Sequence, residues 1–147
     1  MLQRGGKPFT TSVARYRDHL SHHGADGGAK ITVKFSVPSI PAALTAILDT
    51  GAQWSALDPE VAEATGALQR DGVTVSYSTR FGTIVGKLVR TELVLEADEG
   101  ASLLVNATVF VSTDWPSGRN FIGYSGFLER IRFGVDPEAN QFHFGPL

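Results

Sequence analysis

Apolar and polar residues alternate with a period of two over much of this sequence, and glycine or proline interrupts the pattern at intervals. In residues 30–37 every second residue is apolar, and lysine, threonine or serine lies between them. Residues 103–111 alternate in the same way, with Asn106 and Thr108 on the polar side. Successive side chains of a strand point to opposite faces, so this period predicts half-buried β-strands and argues against a mainly helical chain.

Four further segments are predicted strands. Residues 43–48 are almost wholly apolar, which is typical of a strand that is buried on both faces. Residues 73–78 and 84–97 flank residues 79–83, whose glycine predicts the turn of a hairpin. Residues 141–144 are predicted to form a last short strand. Together these segments predict an all-β fold.

Helical signals are few. The run Asp58-Pro59-Glu60 offers a capping carboxylate, a proline suited to the first helical position and an acid near the positive end of a helix, and Gly66 ends that helix. Apolar spacing predicts a second short helix over residues 126–132, and residues 11–22 are a candidate for a third. The prediction is therefore a mainly β domain with one or two short helices.

The 147 residues are enough for one domain with a real core. We expect residues 30–147 to form that domain and residues 1–29 to be an N-terminal extension, part helical or flexible. The extension carries His19, His22 and His23 at a spacing that fits one helical face. Without cysteines or clustered carboxylates nearby, a solvated face is favoured over a zinc site, so no metal site is predicted.

Composition narrows the classes of function. The net charge of −2 gives no electrostatic reason to expect nucleic acid as a partner. Cysteine is absent, which removes disulfides, thiolate metal sites and cysteine nucleophiles and suits a reducing compartment. No apolar stretch approaches the ~20 residues that cross a bilayer, so no membrane segment is expected in this chain. We expect a bacterial, cytoplasmic protein.

The segment with the clearest chemistry is Asp49-Thr50-Gly51-Ala52, which follows the apolar residues 43–48. An aspartate there leaves an apolar core into a tight turn that the glycine permits, where backbone N–H groups can point at the carboxylate. A carboxylate that is held rigid and partly dry suits acid–base chemistry. An Asx turn at a strand end explains the same residues without any chemistry, and the motif alone leaves both interpretations open.

After the Asp49 motif come a hairpin with a glycine near its tip, the run Phe121-Ile122-Gly123, a predicted helix and a closing strand. This order, over residues 31–145, resembles the retropepsin family of aspartic proteases. In that family a strand ending in Asp-Thr-Gly-Ala precedes a flap hairpin and a hydrophobic-hydrophobic-Gly segment. The resemblance implies a closed, mostly antiparallel acid-protease half-barrel.

Pepsin-like enzymes carry two such aspartate motifs in one chain, whereas this sequence has one, as retropepsins do. The resemblance therefore implies a homodimer in which each subunit contributes one catalytic Asp49. Two carboxylates in close contact share one proton, so the pair can activate a water molecule and polarise a peptide carbonyl. The implied activity is that of an aspartic endopeptidase acting on peptide or protein substrates, with no cofactor, metal or acyl-enzyme.

The resemblance also implies roles for residues around Asp49. Thr50 is expected to brace the two active-site loops across the two-fold axis, and Gly51 to donate its backbone N–H to the carboxylates. Substrate binding is expected from the end of the motif, the flap tip and an aromatic residue before the second motif, at Ala52, Arg80, Phe81, Gly82, Thr83 and Trp115. For Trp115 an exposed loop anchor is an equal alternative. The second motif is expected to pack beneath the active-site loop through Phe121, Ile122 and Gly123.

Two features depart from the family pattern. Tyr124 stands where the family commonly has an arginine that helps to hold its dimer together, and Ser125-Gly126 looks like an additional residue before the helix. These departures bear on the dimer contact rather than on the fold. The alternatives to a general protease are a catalytically silent dimerisation or peptide-binding module of the same fold, and an enzyme that cuts only itself during maturation.

Other catalytic classes find less support. No Gly-x-Ser-x-Gly elbow accompanies the serines and histidines of the chain. His143 alternates with two phenylalanines and is interpreted as a side chain of an edge strand. The remaining candidate acids for a two-carboxylate glycosidase lie in predicted turns or caps, at Asp58, Asp98, Glu99 and Asp136.

Overall fold

A computed structural model describes residues 1–16 and 31–147 of the chain, and strands dominate both ranges. Residues 31–37 and 103–111, which alternate in the sequence, both fall in strands. In chain order, the strands of the described residues are β1 (Gln3–Arg4), β2 (Lys7–Pro8), β3 (Ser12–Arg15), β4 (Ile31–Val37), β5 (Ile40–Leu48), β6 (Ser55–Ala56), β7 (Val73–Thr79), β8 (Gly82–Leu95), β9 (Leu103–Val111), β10 (Phe121–Ile122), β11 (Ile131–Asp136) and β12 (Gln141–Pro146).

The main sheet closes on itself. Its strands follow the order β4, β5, β10, β6, β9, β8 and β7. β4 pairs antiparallel with β5 and also with β8, where Phe35 lies opposite Leu95 and Ser36 opposite Val94. Because one strand pairs with both, the sheet forms a half-barrel, and the predicted all-β class is confirmed. Two pairings are parallel, β5 with β10 and β6 with β9.

The interior of the half-barrel is filled by the apolar face of the alternating strands. The polar residues that alternate with them lie on the outer face. A register shift of one residue would exchange the two faces, so burial of the apolar face fixes the register. Each fully buried Val, Leu or Phe contributes about 1.5–3 kcal/mol. The buried side chains on β4, β8 and β9 include Val33, Phe35, Val89, Leu93, Leu95, Val105, Ala107 and Val109.

The strand predicted over residues 43–48 exists, but its expected burial is wrong. β5 begins at Ile40, and only its end is deeply buried, at Ala46 and Leu48. Ala43 and Thr45 are exposed on the other face. Exposing an alanine side chain costs little because it is small. An almost continuous apolar run that contains several alanines can therefore form a strand with one face in solvent.

Of the predicted helices, the first is confirmed. Helix α1 (Pro59–Ala64) is capped by Asp58, and Gly66 follows it with φ +71°. The second is wrong, because only a 3₁₀ turn forms, over Leu128–Arg130, and Ile131 already begins β11 opposite Pro146. The apolar spacing there reflects core contacts from a turn and a strand rather than from one helix. A further 3₁₀ turn spans Ala67–Gln69.

A separate sheet ties the N-terminal part of the chain to its C-terminal part. Its order is β11, β12, β3, and β3 pairs antiparallel with β12 from Ser12 opposite Phe144 to Arg15 opposite Gln141. The helix predicted from residue 11 is therefore wrong for residues 12–15, which are in a strand. The rest of that segment, with His19, His22 and His23, lies outside the described residues.

His143 is not on an edge strand, because β12 is the central strand of this sheet. Its side chain is 4% exposed, and its Nδ1 atom is buried without a hydrogen-bond partner among the described residues. Burial lowers the pKa of His143, and the nearby N-terminal amino group lowers it further, against smaller opposing effects of Asp136 and Glu99. The sheet therefore holds a neutral imidazole in its centre.

No helix in the two described ranges is long and apolar enough to span a membrane.

Stability should fall as the pH drops from about 7 to about 5. The unfolded chain takes up a proton at His143 near the ordinary value of about 6.5, whereas the folded chain resists it, so stability is lost with decreasing pH. Urea unfolding of the wild type and of His143→Gln across this range checks the effect, and the variant should show the shallower pH dependence. Parallel curves would contradict the buried, neutral imidazole, since the other histidines are present in both proteins.

Candidate active site

Asp49 lies where β5 leaves the half-barrel. Its backbone N–H donates to the carbonyl of Ile122 on β10 over 2.9 Å, and the N–H of Ile47 donates to Asn120 over 2.9 Å. β10 runs parallel to β5, with Ile122 opposite Leu48. The position at which the chain turns out of the sheet is therefore fixed by backbone bonds from Ile47 and Asp49 to the β10 segment.

The carboxylate of Asp49 is held by the turn that follows it. Oδ1 accepts hydrogen bonds from the backbone N–H groups of Gly51 at 2.9 Å and Ala52 at 3.2 Å. A Cβ atom on Gly51 would lie 3.3 Å from Oδ1, so glycine gives the carboxylate its room. Within the described residues Oδ2 accepts no hydrogen bond. The Asx turn is present, and it orients one oxygen while leaving the other available.

The run Phe121-Ile122-Gly123 lies directly against the Asp49 loop. A Cβ on Gly123 would come within 2.5 Å of the backbone of Trp54, so only glycine fits this approach. Its N–H donates to the buried Ser55 hydroxyl at 3.0 Å. Tyr124 donates its N–H to the carbonyl of Ala52 at 2.9 Å, while its side chain is 49% exposed. The Tyr124 side chain thus faces outward from the single chain.

The predicted hairpin around residues 79–83 is present. β7 and β8 pair from Val73 opposite Leu88 to Thr79 opposite Gly82, which leaves Arg80-Phe81 as a two-residue loop. The Thr79 hydroxyl accepts from the N–H of Phe81 at 3.1 Å and donates to the carbonyl of Gly82 at 2.9 Å. Gly82 has φ +114°, a conformation that favours glycine.

A cleft of about 480 Å³ separates the hairpin tip from the Asp49 loop. Most of the side chains singled out from the sequence meet in its walls. These are Asp49, Gly51, Ala52, Arg80, Phe81, Trp115 and Phe121. The others lie nearby without lining the cleft. Thr50 is exposed on the Asp49 loop, Gly82 and Thr83 begin β8, and Ile122 and Gly123 are buried behind the cleft.

Aromatic rings form the back of the cleft. Tyr77 is central, stacked on Trp115 with ring centroids 5.6 Å apart and in edge contact with Trp54 at 5.3 Å and Phe110 at 5.2 Å. Trp115 also meets Phe121 edge-on at 5.9 Å. Since Trp115 is only 7% exposed, the interpretation of it as an exposed loop anchor is wrong.

Tyr77 connects this cluster to Asp49 electrostatically. Its hydroxyl donates to the carbonyl of Trp54 over 3.0 Å. Burial raises the pKa of Tyr77, and the charge of Asp49 raises it further although the bond to Trp54 acts in the opposite direction. The phenol therefore remains a hydrogen-bond donor near the carboxylate.

Sequence analysis missed several wall residues of the cleft, and Tyr77 and Arg119 matter most among them. Tyr77 occupies an ordinary strand position, and only its alternation with Val75 indicated an inward side chain. Arg119 lies in the loop after β9, and no sequence pattern brings this loop opposite the hairpin tip.

Asp58 holds that loop in place. Its Oδ1 caps α1 by accepting from the N–H of Glu60 at 2.8 Å and Val61 at 3.4 Å, and its Oδ2 accepts from the N–H of Gly118. The side chain is 6% exposed. One buried carboxylate thus links the helix to the loop that carries Trp115 and Arg119, and the predicted cap role of Asp58 is confirmed.

Comparison with known proteins supports the fold that carries this cleft. No protein-family model matches the sequence, and neither does any curated protein. Among solved structures, a retropepsin-like aspartic protease from Rickettsia conorii is similar, with a TM-score of 0.59 over 92% of this chain and 94% of that chain. The sequences are 20% identical, so the likeness shows the fold. The chain has an all-β, retropepsin-like fold.

Removing the Asp58 carboxylate should destabilise the protein. Asp58→Ala leaves the first turn of α1 and the N–H of Gly118 without their acceptor, at a cost of about 1–3 kcal/mol. Asp58→Asn keeps a capping oxygen and should cost less. Urea unfolding measures both, with Glu60→Ala as a control on the exposed side of the same turn. An Asp58→Ala midpoint equal to that of the control would contradict the linking role.

Proposed function

We propose that this protein is an aspartic endopeptidase in which two copies of Asp49, one from each subunit of a homodimer, form the catalytic pair. The observation that carries the proposal is the Asp49 carboxylate itself. It lies at a fixed strand end, and two backbone N–H groups bind one of its oxygens, while the other accepts no hydrogen bond from the described residues. The tip of a hairpin lines the same cleft. The retropepsin-like fold supports the same assignment.

The mechanism follows from the need for two proton-transfer groups. Two carboxylates about 3 Å apart cannot both ionise, so the pair holds one shared proton, as in aspartic proteases generally. The ionised member takes a proton from a water molecule while the protonated member gives its own to the peptide carbonyl oxygen. Water oxygen adds to the carbonyl carbon. The resulting diol collapses as the nitrogen receives a proton, and the C–N bond breaks.

The surrounding residues have supporting roles in this proposal. Thr50, exposed in the single chain, braces the partner's loop across the two-fold axis. Gly51 orients the carboxylate through its N–H. Ala52 and Trp115 contact the substrate, and the hairpin tip closes over it through Arg80, Phe81, Gly82 and Thr83. The second motif supports the loop from behind through Phe121, Ile122 and Gly123.

An extended substrate fits the shape of the cleft. The hairpin tip and the Asp49 loop are two walls of exposed backbone, which can pair with a peptide in strand conformation. Closure of the hairpin excludes water and fixes the scissile bond near the catalytic pair. The same geometry holds peptides without cutting them if the pair does not form, which is the case of a catalytically silent binding module.

Asp49→Asn should lower cleavage of a denatured protein substrate by about 10²–10⁴-fold, because it removes the proton acceptor and leaves the side-chain shape intact. Wild-type cleavage should be greatest at mildly acidic pH, where the pair keeps its single proton, and pepstatin should inhibit it. Assays from pH 3 to 9 with both proteins, matched by circular dichroism for folding, measure this.

Two results would contradict the protease assignment. An optimum above about pH 8 is incompatible with a shared proton, and equal cleavage by Asp49→Asn would show that another group or a contaminant acts. Absence of cleavage at every pH, together with a stable dimer by light scattering, would instead support the binding module.

A further inference from the structure

Two arginines in the wall of the cleft have no acidic partner in the part of the chain that the structure describes. Arg80 lies at the hairpin tip and Arg119 in the loop after β9, and both line the cavity that contains Asp49. Among residues 1–16 and 31–147, the ion pairs join Arg15 to Glu99 and Lys34 to Asp98. Of the described residues that line this cavity, Asp49 alone has an acidic side chain. The wall therefore presents two positive charges beside a single carboxylate.

Both guanidinium groups rest on one aromatic ring. The central carbon of Arg119 lies 4.8 Å from the ring centroid of Phe81, and that of Arg80 lies 5.8 Å from it. These cation–π contacts orient the two cations and reduce the side-chain entropy that binding would otherwise cost. No hydrogen bond within the described residues occupies their N–H groups. The donors are thus oriented and available.

The backbone beneath Arg119 is also fixed. Its carbonyl accepts from the indole N–H of Trp115 at 2.8 Å, and the preceding residue, Gly118, donates to the buried Asp58. A guanidinium on a fixed loop and a second one on the hairpin, both held at the Phe81 ring, form a preorganised site for a carboxylate. The two oxygens of a carboxylate match the fork of arginine donors. The negative net charge of the chain as a whole makes this local excess of positive charge distinctive.

Apolar surface adjoins the two cations. Phe81 is 62% exposed, and the rings of Tyr77, Trp115 and Phe121 continue from it into the cleft. A ligand that covers Phe81 and reaches these rings buries apolar area at the same time as it meets the arginines. The complementary ligand has an acidic group close to an aliphatic or aromatic one.

We propose that the cleft selects extended peptides that carry an acidic side chain within a residue or two of an aliphatic or aromatic side chain, with Arg80 and Arg119 as the specificity-determining residues. The inference rests on the proposed function, since it names the substrate class of the same cleft. Pairing with the acidic side chain draws the substrate under the hairpin and positions the neighbouring apolar side chain against the aromatic wall.

The test uses matched fluorogenic peptides with one phenylalanine and either Glu or Gln at each of three positions on both sides of it. At pH 5.5 and low salt, at least one Glu peptide should exceed its Gln partner in kcat/KM by about five- to tenfold. The preference should shrink to within about twofold in the double variant Arg80→Gln/Arg119→Gln. It should also weaken below about pH 4, as the substrate Glu protonates, and in high salt.

A matched control is available elsewhere on the surface. Arg132 is exposed and lies 5.6 Å from the ring centroid of Phe9, away from the cleft. Arg132→Gln makes the same chemical change to an arginine over a phenylalanine ring, and it should leave the preference for Glu unchanged. Equal rates for Glu and Gln peptides, or a preference that survives the double variant, would overturn the inference.

A binding measurement separates this inference from the protease assignment. Fluorescence anisotropy of labelled Glu and Gln peptides with Asp49→Asn reports selection without cleavage. If wild type cuts nothing but Asp49→Asn binds the Glu peptide more tightly, and the arginine substitutions remove that difference, the selection holds and the protease assignment fails. If wild type cuts Glu and Gln peptides alike, the protease assignment holds and the selection fails. Binding of neither peptide overturns the selection.

Discussion

The parallel pairing of β5 with β10 determines where the candidate site lies. Asp49 is the first residue after β5, and the bond from its N–H to the carbonyl of Ile122 sets the point at which the chain leaves the sheet. Gly123, directly after β10, lies so close to the backbone of Trp54 that any side chain at this position would collide with it. The half-barrel is closed because β4 pairs with β5 along one edge and with β8 along its other edge. This closure keeps β5 and β10 in register. The direction of the carboxylate is thus a consequence of backbone geometry.

The proposed function requires a single chain to supply half of a catalytic site. Two backbone N–H groups hold Oδ1 of Asp49, and acid–base chemistry on a peptide bond needs a second proton-transfer group within hydrogen-bonding reach. No other acidic side chain lines the cleft of the described residues. A symmetry-related Asp49 is the partner that the proposed mechanism requires. Tyr124, at which the sequence departs from the retropepsin pattern, is exposed in the single chain.

Much of the fold could be predicted because the alternating strands carry their own signal. β4 and β9 have one apolar face each, and Asp58-Pro59 marks the start of α1 with a cap and a proline. The wrong predictions arise where one local sequence pattern fits two different secondary structures. The apolar spacing before Ile131 fits a helix face as well as a turn followed by a strand, and only the pairing of Ile131 with Pro146 decides between them.

For the site, local sequence identified the parts that lie on one segment and missed those assembled by distant ones. Asp49, Gly51 and the hairpin tip could be predicted from short motifs. The approach of Arg119 to Phe81 could not, because it depends on the closure of the barrel and on the bond between Asp58 and Gly118. The central place of His143 likewise depends on β3, whose pairing with β12 joins residues more than a hundred positions apart.

The most direct test of the central claim is a mixing experiment. Wild type and Asp49→Ala are unfolded together in varied proportions, refolded, and assayed for peptide cleavage at a constant total concentration. If each active site needs two copies of Asp49, activity should fall with the square of the wild-type fraction, since only dimers of two wild-type chains are active. A linear decrease would show that one Asp49 suffices and would contradict the account.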